Sequence, residues 1–337
     1  MNQTLNIAIS AADTLAGETL VRQLEEHLMD GQSLPVLNLY LISEKADAVC
    51  ELEFHGEELE YTSADAVDFS MVNFLMIPSG TQRNVELMSR AVESGCYIVD
   101  ASRGAAAQGY TLPVMPGFNE HFLSEVAENR YAVMPSSIAA PLLPLIQMIH
   151  QYCSVSRISL AVMQSVASHG RIGVDALRKQ TIELLNGKPI ESEQFDHRLA
   201  YNLVPEKASE DENGNESLIS HELRMALGEE VDIRVSATTV PVFFGDSFLV
   251  DIDAVQPFEL EELKAALEEW GGVSLLADEE LPTVERIAGS DEMCIGRIQQ
   301  VGTYNSGLSF WVVADSLNRG AVQAVELAGL LIKDLAR

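Results

Sequence analysis

Short apolar runs alternate with segments of helical periodicity over the first hundred residues, and this alternation restricts the fold more than any other feature. The apolar runs predict strands, and the periodic segments between them predict helices. The strands are expected at 5–9, 36–42, 73–77 and 96–100, and the helices at 17–29 and 85–94. Such alternation predicts an α/β domain with a mainly parallel, doubly wound, Rossmann-like sheet.

The pattern changes after residue 155, where strand-like runs become longer and helices fewer. The runs cover 158–166, 231–244 and 247–255, and the helices are expected at 171–185 and 260–270. This pattern predicts a largely antiparallel sheet with helices on one face, an α+β second domain. The last helix, 320–335, is expected to pack back onto the first domain. We therefore predict two domains, residues 1–134 completed by 320–337, and residues 135–319.

The charge balance excludes several classes of partner. The 337-residue chain has 51 acidic and 21 basic side chains, a net charge of −30, which argues against binding to nucleic acid or an anionic membrane. No segment approaches membrane-spanning length and the first residues lack an export signal, so a cytoplasmic protein is expected. The acidic clusters lack histidines or ordered carboxylate spacing, so no metal site is predicted.

The cysteines give no sign of disulfide or metal chemistry. Cys50, Cys96, Cys153 and Cys294 stand far apart, with no pairing or metal-ligand spacing. We expect them to be reduced core residues.

A strand, a sharp turn and a helix follow one another between Tyr131 and Tyr152. The apolar strand 131–134 is broken by Pro-Ser-Ser, and a buried helix is expected over 142–152. Such a junction can present a side chain and helix N–H groups to a carbonyl or phosphate. The layout resembles the Asn-Pro-Asn-Cys-Ser-Thr active-site turn of the aspartate-semialdehyde dehydrogenase family, with Ser137 at the position of the nucleophilic cysteine.

Further ordered motifs extend this resemblance over almost the whole chain. They are found at 195–205, similar to Ile-Ala-Phe-Asn-Val-Ile-Pro, at 240–247, similar to Val-Pro-Val-x-x-Gly-His-Ser, and at 311–321, similar to Trp-Val-Val-Ala-Asp-Asn-Leu-Arg-Lys-Gly-Ala. The combination is most similar to the Usg-type homologues. The resemblance implies an NAD(P)-binding-type first domain, a dimerisation and catalytic-type second domain, and a homodimer.

The resemblance also implies a cofactor, NADP, and places its candidate contacts. When the last glycine of the family loop Gly-Ala-Thr-Gly-x-Val-Gly is aligned with Gly17, this chain has Ala11 and Thr14 at the positions of the first two glycines. Thr14 puts a branched side chain where phosphate oxygens would lie, so a turn kept for folding is favoured over a working cofactor loop. Lys45 could meet a 2′-phosphate, although Glu44 beside it opposes an anion. The candidate cofactor-binding residues are Ala11, Thr14, Leu15, Gly17, Ser43 and Ser316.

The family reaction is the reductive dephosphorylation of an acyl phosphate, and the matching catalytic positions are Ser137, Asp246 and Gln164. A serine hydroxyl is far less ionised than a cysteine thiol, and its ester accepts hydride poorly. Asp246 replaces the histidine base, and its ordinary pKa of about 4 lies well below what a base needs unless burial raises it. Gln164 matches the substrate-orienting glutamine.

The substrate-binding candidates are Thr239, Glu216 and Arg103. Thr239 replaces the arginine that clamps the substrate carboxylate, and Glu216 remains from the family's Glu-x-x-Lys-type helix. Arg103 lies three places before the family's phosphate-binding arginine unless a gap is allowed, so a surface role is favoured for it.

Two functional hypotheses remain open. The first is a catalytically impaired homologue that acts by dimerisation, with itself or with an active paralogue. The alternative is an active NADP-dependent semialdehyde dehydrogenase of amino-acid biosynthesis with the altered nucleophile Ser137. A new Ser137–Asp246 hydrolase is weaker, because Ser136 and Ser137 fit the role of a helix cap and no histidine but His169 offers a base.

Overall fold

The computed structural model describes residues 5–29, 36–45, 49–80, 84–102, 113–190, 194–207, 215–302 and 306–335. The chain forms two compact units, residues 1–137 with 320–337, and residues 138–319. No helix among the described residues is long and apolar enough to cross a membrane.

The first unit is a parallel sheet with helices between its strands. Its elements are β1 (Leu5–Ile9), α1 (Leu15–Met29), β2 (Val36–Ile42), β3 (Glu53–Phe54), β4 (Glu57–Glu58), β5 (Tyr61–Thr62), β6 (Phe74–Ile77), α2 (Asn84–Glu93), β7 (Tyr97–Asp100), α3 (Leu123–Asn129) and β8 (Tyr131–Val133). Six strands pair in the order β5-β2-β1-β6-β7-β8, and every pair is parallel. The doubly wound α/β sheet predicted from the alternation is confirmed.

The second unit contains a mixed sheet. Its elements are α4 (Leu142–Cys153), β9 (Val155–Gln164), α5 (Gly170–Leu185), β10 (Val204–Pro205), α6 (Asn215–Leu227), β11 (Asp232–Thr239), β12 (Asp246–Ala254), α7 (Leu260–Trp270), β13 (Ser274–Leu275), α8 (Val284–Ile287), β14 (Met293–Val301) and β15 (Gly307–Ala314). The seven strands follow the order β10-β11-β9-β12-β15-β14-β13. The pairs β11·β9 and β13·β14 are parallel, and the other four are antiparallel.

The predicted run 231–244 is too long, because the strand ends at Thr239. Pro241 has no N–H for a ladder, and Gly245 has a φ of 84°, which only glycine adopts easily. The segment turns between these residues and re-enters the sheet at Asp246.

The last helix, α9 (Ser316–Leu335), supplies apolar side chains to the core of the first unit. Its residues Val325, Leu327 and Leu331 belong to one buried cluster with Ile9 and Leu24. A second cluster lies among residues of β6, β7 and α2, including Leu75, Ile98 and Met88. Burial of each of these side chains contributes about 1.5–3 kcal/mol to the stability of the first unit.

Candidate functional site

The turn after β1 is shaped by a close approach of α1. A Cβ added to Gly17 would lie 2.5 Å from the Ala11 carbonyl oxygen and 2.6 Å from the Ala12 Cα. Ala11 itself has a φ of 49°, a left-handed conformation. Backbone atoms cannot move aside as a flexible side chain can, so packing alone accounts for a glycine at position 17.

The Thr14 hydroxyl is turned back into this turn. It donates to the Ala11 carbonyl at 2.7 Å, accepts from the Gly17 N–H at 3.1 Å and lies 3.3 Å from the Ser79 hydroxyl. The Thr14 carbonyl accepts from the Glu18 N–H at 2.9 Å. Thr14 therefore caps α1, since its hydroxyl satisfies an N–H that the first turn of a helix leaves without an intrahelical partner.

The remaining cofactor candidates of the first unit are also bonded to the protein itself. Ser43 is buried, and its hydroxyl accepts from the Lys45 N–H at 2.9 Å. The Lys45 ammonium lies 3.9 Å from the Asp13 carboxylate. Leu15 is the half-buried first residue of α1. These residues do not fit an NADP molecule as they stand, because the capped N–H and the paired cation are groups that its phosphates would need.

Ser137 is exposed and lies outside the following helix. Helix α4 begins at Leu142 with Pro141 at the N-cap position, and no side chain caps it. The interpretation of Ser136 and Ser137 as a helix cap is therefore wrong. Ser136 is buried, whereas the Ser137 Cβ lies 3.8 Å from where a Cβ on Gly320 would stand.

Asp246, at the start of β12, is one of the most enclosed carboxyl groups described. It is 4% exposed, and its Oδ1 accepts from the Ser165 N–H at 2.7 Å. Burial raises the pKa of Asp246 to about 6, while the neighbouring Ser316 hydroxyl and Ser165 N–H limit the rise and the charge of Asp315 adds to it. The pKa of Asp246 thus lies closer to neutral pH than that of an ordinary aspartate.

The N-terminus of α9 lies beside Asp246. Asp315 accepts from the Asn318 N–H at 3.1 Å and from the Gly289 N–H at 2.8 Å, which makes it the cap of this helix. Ser316, a predicted cofactor contact, is 2% exposed. Its hydroxyl makes no well-aligned hydrogen bond. The hydroxyl is nevertheless close enough to Asp246 to lower the pKa of that carboxyl. Asp315 was not predicted as a site residue, although an Asp directly before a long apolar-periodic segment is a helix-start signal.

Gln164 and Thr239 end two neighbouring parallel strands. They are paired in register, and both are buried. The Thr239 hydroxyl lies 3.1 Å from the His169 Nε2, and burial lowers the pKa of that histidine. The clamp position is therefore occupied by a neutral hydroxyl in contact with an imidazole.

Glu216 is bonded to the edge of the sheet. Its Oε1 accepts from the Ala237 N–H of β11 at 2.8 Å, and the Ala237 carbonyl accepts from the Glu206 N–H at 2.9 Å. Arg103 lies outside the described residues. The described residues contain no group of three or more His, Cys, Asp or Glu side chains that could hold a metal ion.

Comparison with known proteins gives a consistent result. Residues 142–319 match the family described as semialdehyde dehydrogenase, dimerisation domain. The chain is 31% identical over 339 residues to the USG-1 protein homolog of Pseudomonas aeruginosa, covering 99% of both chains. The crystal structure of aspartate semialdehyde dehydrogenase II from Vibrio cholerae, complexed with ASA, is 27% identical with a TM-score of 0.90, over 98% of this chain and 99% of that one. A probable aspartate-semialdehyde dehydrogenase from Pseudomonas aeruginosa is 30% identical with a TM-score of 0.89, over 99% and 100% of the two chains.

Proposed function

The chain belongs to the aspartate-semialdehyde dehydrogenase family, and on this premise we propose that it is a Usg-type homologue that has lost the dehydrogenase reaction and acts as a cytoplasmic homodimer. The observation that carries the proposal is Ser137, an exposed hydroxyl at the position where the family reaction needs a thiolate. An oxoester formed there would be a poor hydride acceptor compared with a thioester.

The contacts of the other matched positions support the loss. The Asp246 carboxylate is bonded to the Ser165 backbone, and the Glu216 carboxylate to the Ala237 backbone. Thr239 has no charge with which to hold a substrate carboxylate. Groups that act together in one reaction are not independent, so replacing the nucleophile, the base and the clamp abolishes turnover rather than reducing it slightly.

A turnover assay tests this proposal. The protein is incubated with aspartate semialdehyde, phosphate and either NADP or NAD, and formation of the reduced nicotinamide is followed by absorbance. We expect a rate equal to that of Ser137→Ala, with the Vibrio cholerae aspartate semialdehyde dehydrogenase II as the positive control. Turnover that disappears in Ser137→Ala would show that the reaction persists.

One observation favours the second candidate, an active NADP-dependent semialdehyde dehydrogenase with Ser137 as its nucleophile. Because burial raises the pKa of Asp246 to about 6, its carboxylate is closer to the range of a general base than an ordinary aspartate. The same assay decides between the candidates, with Asp246→Asn as a second variant. A rate that falls with both substitutions and follows an ionisation near that pKa supports the active enzyme.

The half-exposed face of the seven-stranded sheet supports the homodimer. A row of uncharged side chains crosses it, with Ala161 opposite Leu249 and Leu249 opposite Trp311. All three are half-buried, and the exposed Asp251 follows on the same face of β12. An apolar centre with a polar rim is the usual composition of a protein interface.

The interface is tested by placing a charge in this row. Leu249→Glu is expected to give a monomer in size-exclusion chromatography with light scattering, because an unpaired carboxylate would be buried between the copies. Val255→Glu, at a position 63% exposed beyond the end of β12, is the matched control and should leave the dimer intact. A monomeric native protein, or a dimeric Leu249→Glu, would exclude this interface.

A heterodimer with an active paralogue would use the same face. Native mass spectrometry of a mixture of the two proteins distinguishes a heterodimer from two homodimers by the masses of the assemblies. A mixed species that is absent with Leu249→Glu supports the heterodimer, and two unmixed homodimers contradict it.

A further inference from the structure

The N-terminus of a helix after the first strand binds a dinucleotide through free backbone N–H groups that meet the pyrophosphate. In α1 the N–H of Gly17 is already bonded to the Thr14 hydroxyl at 3.1 Å. An oxygen of the protein thus occupies a hydrogen-bonding position that a phosphate oxygen would need.

The Thr14 hydroxyl is held firmly in this position. Its proton is donated to the Ala11 carbonyl at 2.7 Å, and the Ser79 hydroxyl lies 3.3 Å away. A ligand that displaced the side chain would break the hydrogen bonds of the hydroxyl with the Ala11 carbonyl and the Gly17 N–H, and its contact with the Ser79 hydroxyl. The Ala11 carbonyl would then keep only the Thr14 backbone N–H, from which it accepts at 3.0 Å.

The charges near this turn oppose an anion as well. The Asp13 carboxylate, 22% exposed, lies 3.9 Å from the Lys45 ammonium, the cation placed to meet a 2′-phosphate. Burial raises the pKa of Tyr61, the neighbouring Cys50 thiol raises it further, and the charges of Glu18 and Asp13 add smaller increases, so both carboxylates lie near this edge of the sheet. A dianionic phosphate would have to overcome them and the net charge of −30.

From these contacts we propose that Thr14 closes the turn against the pyrophosphate of a nicotinamide dinucleotide, and that the Asp13–Lys45 pair additionally excludes the 2′-phosphate of NADP. The first unit is then a folding and packing element without its nucleotide. This goes beyond the loss of the dehydrogenase reaction, because an inactive homologue could still bind the dinucleotide.

Calorimetric titration of the full-length protein with NADP and with NAD tests the proposal. The native protein is expected to show no binding to either. Thr14→Gly frees the Gly17 N–H and is expected to raise the affinity for NAD by about tenfold or more, as one charge-assisted hydrogen bond implies. Thr14→Ser keeps the hydroxyl and is the matched control, which should bind neither dinucleotide.

A second substitution separates the two parts of the proposal. Asp13→Asn added to Thr14→Gly releases Lys45, so the affinity for NADP should rise relative to that for NAD. Thr14→Ala is a second hydroxyl-free variant in case glycine weakens the helix, and thermal unfolding establishes that each variant is folded.

Three results would overturn the proposal. Native protein that binds NADP with a dissociation constant below about 0.1 mM has an open turn. Folded Thr14→Gly and Thr14→Ala proteins that still bind nothing would show that Thr14 is not what closes it. Thr14→Ser that binds as well as Thr14→Gly would contradict the role of the hydroxyl. Since these titrations measure no turnover, they stand or fall separately from the assay of the dehydrogenase reaction.

Discussion

The Ser165 N–H donates to Asp246 Oδ1 at 2.7 Å, and this bond ties the start of β12 to the segment that leaves β9. Both residues are almost completely buried. Asp246, at the family's base position, therefore contributes to the fold, and its ionisation must affect the stability of the protein.

Replacing Asp246 by Asn should stabilise the protein above about pH 6. Burial raises the folded-state pKa from 3.8 to about 6. Below the lower pKa the carboxyl is neutral in both the folded and the unfolded state, so it does not affect stability. As the pH rises from the lower to the upper pKa, the carboxyl ionises more readily in the unfolded state, and the free energy of unfolding falls. The free energy of unfolding of Asp246→Asn is thus expected to exceed that of the native protein by on the order of 2–3 kcal/mol at about pH 8, and by much less at about pH 4.

Urea unfolding of the two proteins across this pH range measures the difference. Asp251→Asn, on the exposed face of the same strand, is the control and should change stability little. A gain from Asp246→Asn that is equal at all pH values would show that the buried charge is not its cause.

Gly17→Ala should destabilise the protein, whereas Gly320→Ala should not. Both glycines lie in helices, but the new Cβ would meet backbone atoms at 2.5 and 2.6 Å at Gly17, and only the Ser137 Cβ at 3.8 Å at Gly320. We expect the free energy of unfolding to fall by about 1–3 kcal/mol with the substitution at position 17 and to rise by up to about 1 kcal/mol with that at position 320. Denaturant unfolding checks both, and equal effects would contradict the close approach of α1.

The fold was predictable because its signals are local. The alternation of apolar runs and helical periodicity over residues 5–100 marks the parallel sheet strand by strand, and Pro and Gly mark most of the breaks. The strand end at Thr239 was missed because Pro241 lies within an otherwise continuous apolar run. Because a proline has no N–H to donate to a neighbouring strand, its position predicts that the strand ends before it.

The contacts of the candidate site were not predictable in the same way. Ser165 and Asp246 are 81 residues apart, and nothing in either segment announces their hydrogen bond. Thr14 was expected to obstruct phosphate, but the rotamer that bonds its hydroxyl to Gly17 depends on the left-handed Ala11 and on Ser79. Such pairings follow from the assembled sheet, which a single sequence does not specify residue by residue.

Gln180→Met should loosen the segment around Leu199. The buried Gln180 Oε1 accepts from the Leu199 N–H at 2.8 Å and from the Ala200 N–H at 3.1 Å. Methionine fills a similar volume but leaves two buried donors without a partner, at a cost of about 2–4 kcal/mol. Limited proteolysis should cut near Leu199 sooner than in the native protein, while Asn186→Ala, at the exposed end of the same helix, should behave like the native protein. Unchanged cleavage would mean that this segment is held by its apolar contacts alone.

Cys50 should be the cysteine that reacts first with a thiol reagent in the folded protein. Cys96, Cys153 and Cys294 are buried, as expected, whereas Cys50 is half-buried and packs against the core of the first unit. Burial raises the pKa of Cys96 and Cys153 to about 11 and also raises that of Cys294, so their reactive thiolates are scarce. Titration with Ellman's reagent should show a fast phase that Cys50→Ser removes, and slow phases that become fast in urea. A fast phase that survives in Cys50→Ser would place an accessible thiol in the core of one of the two units.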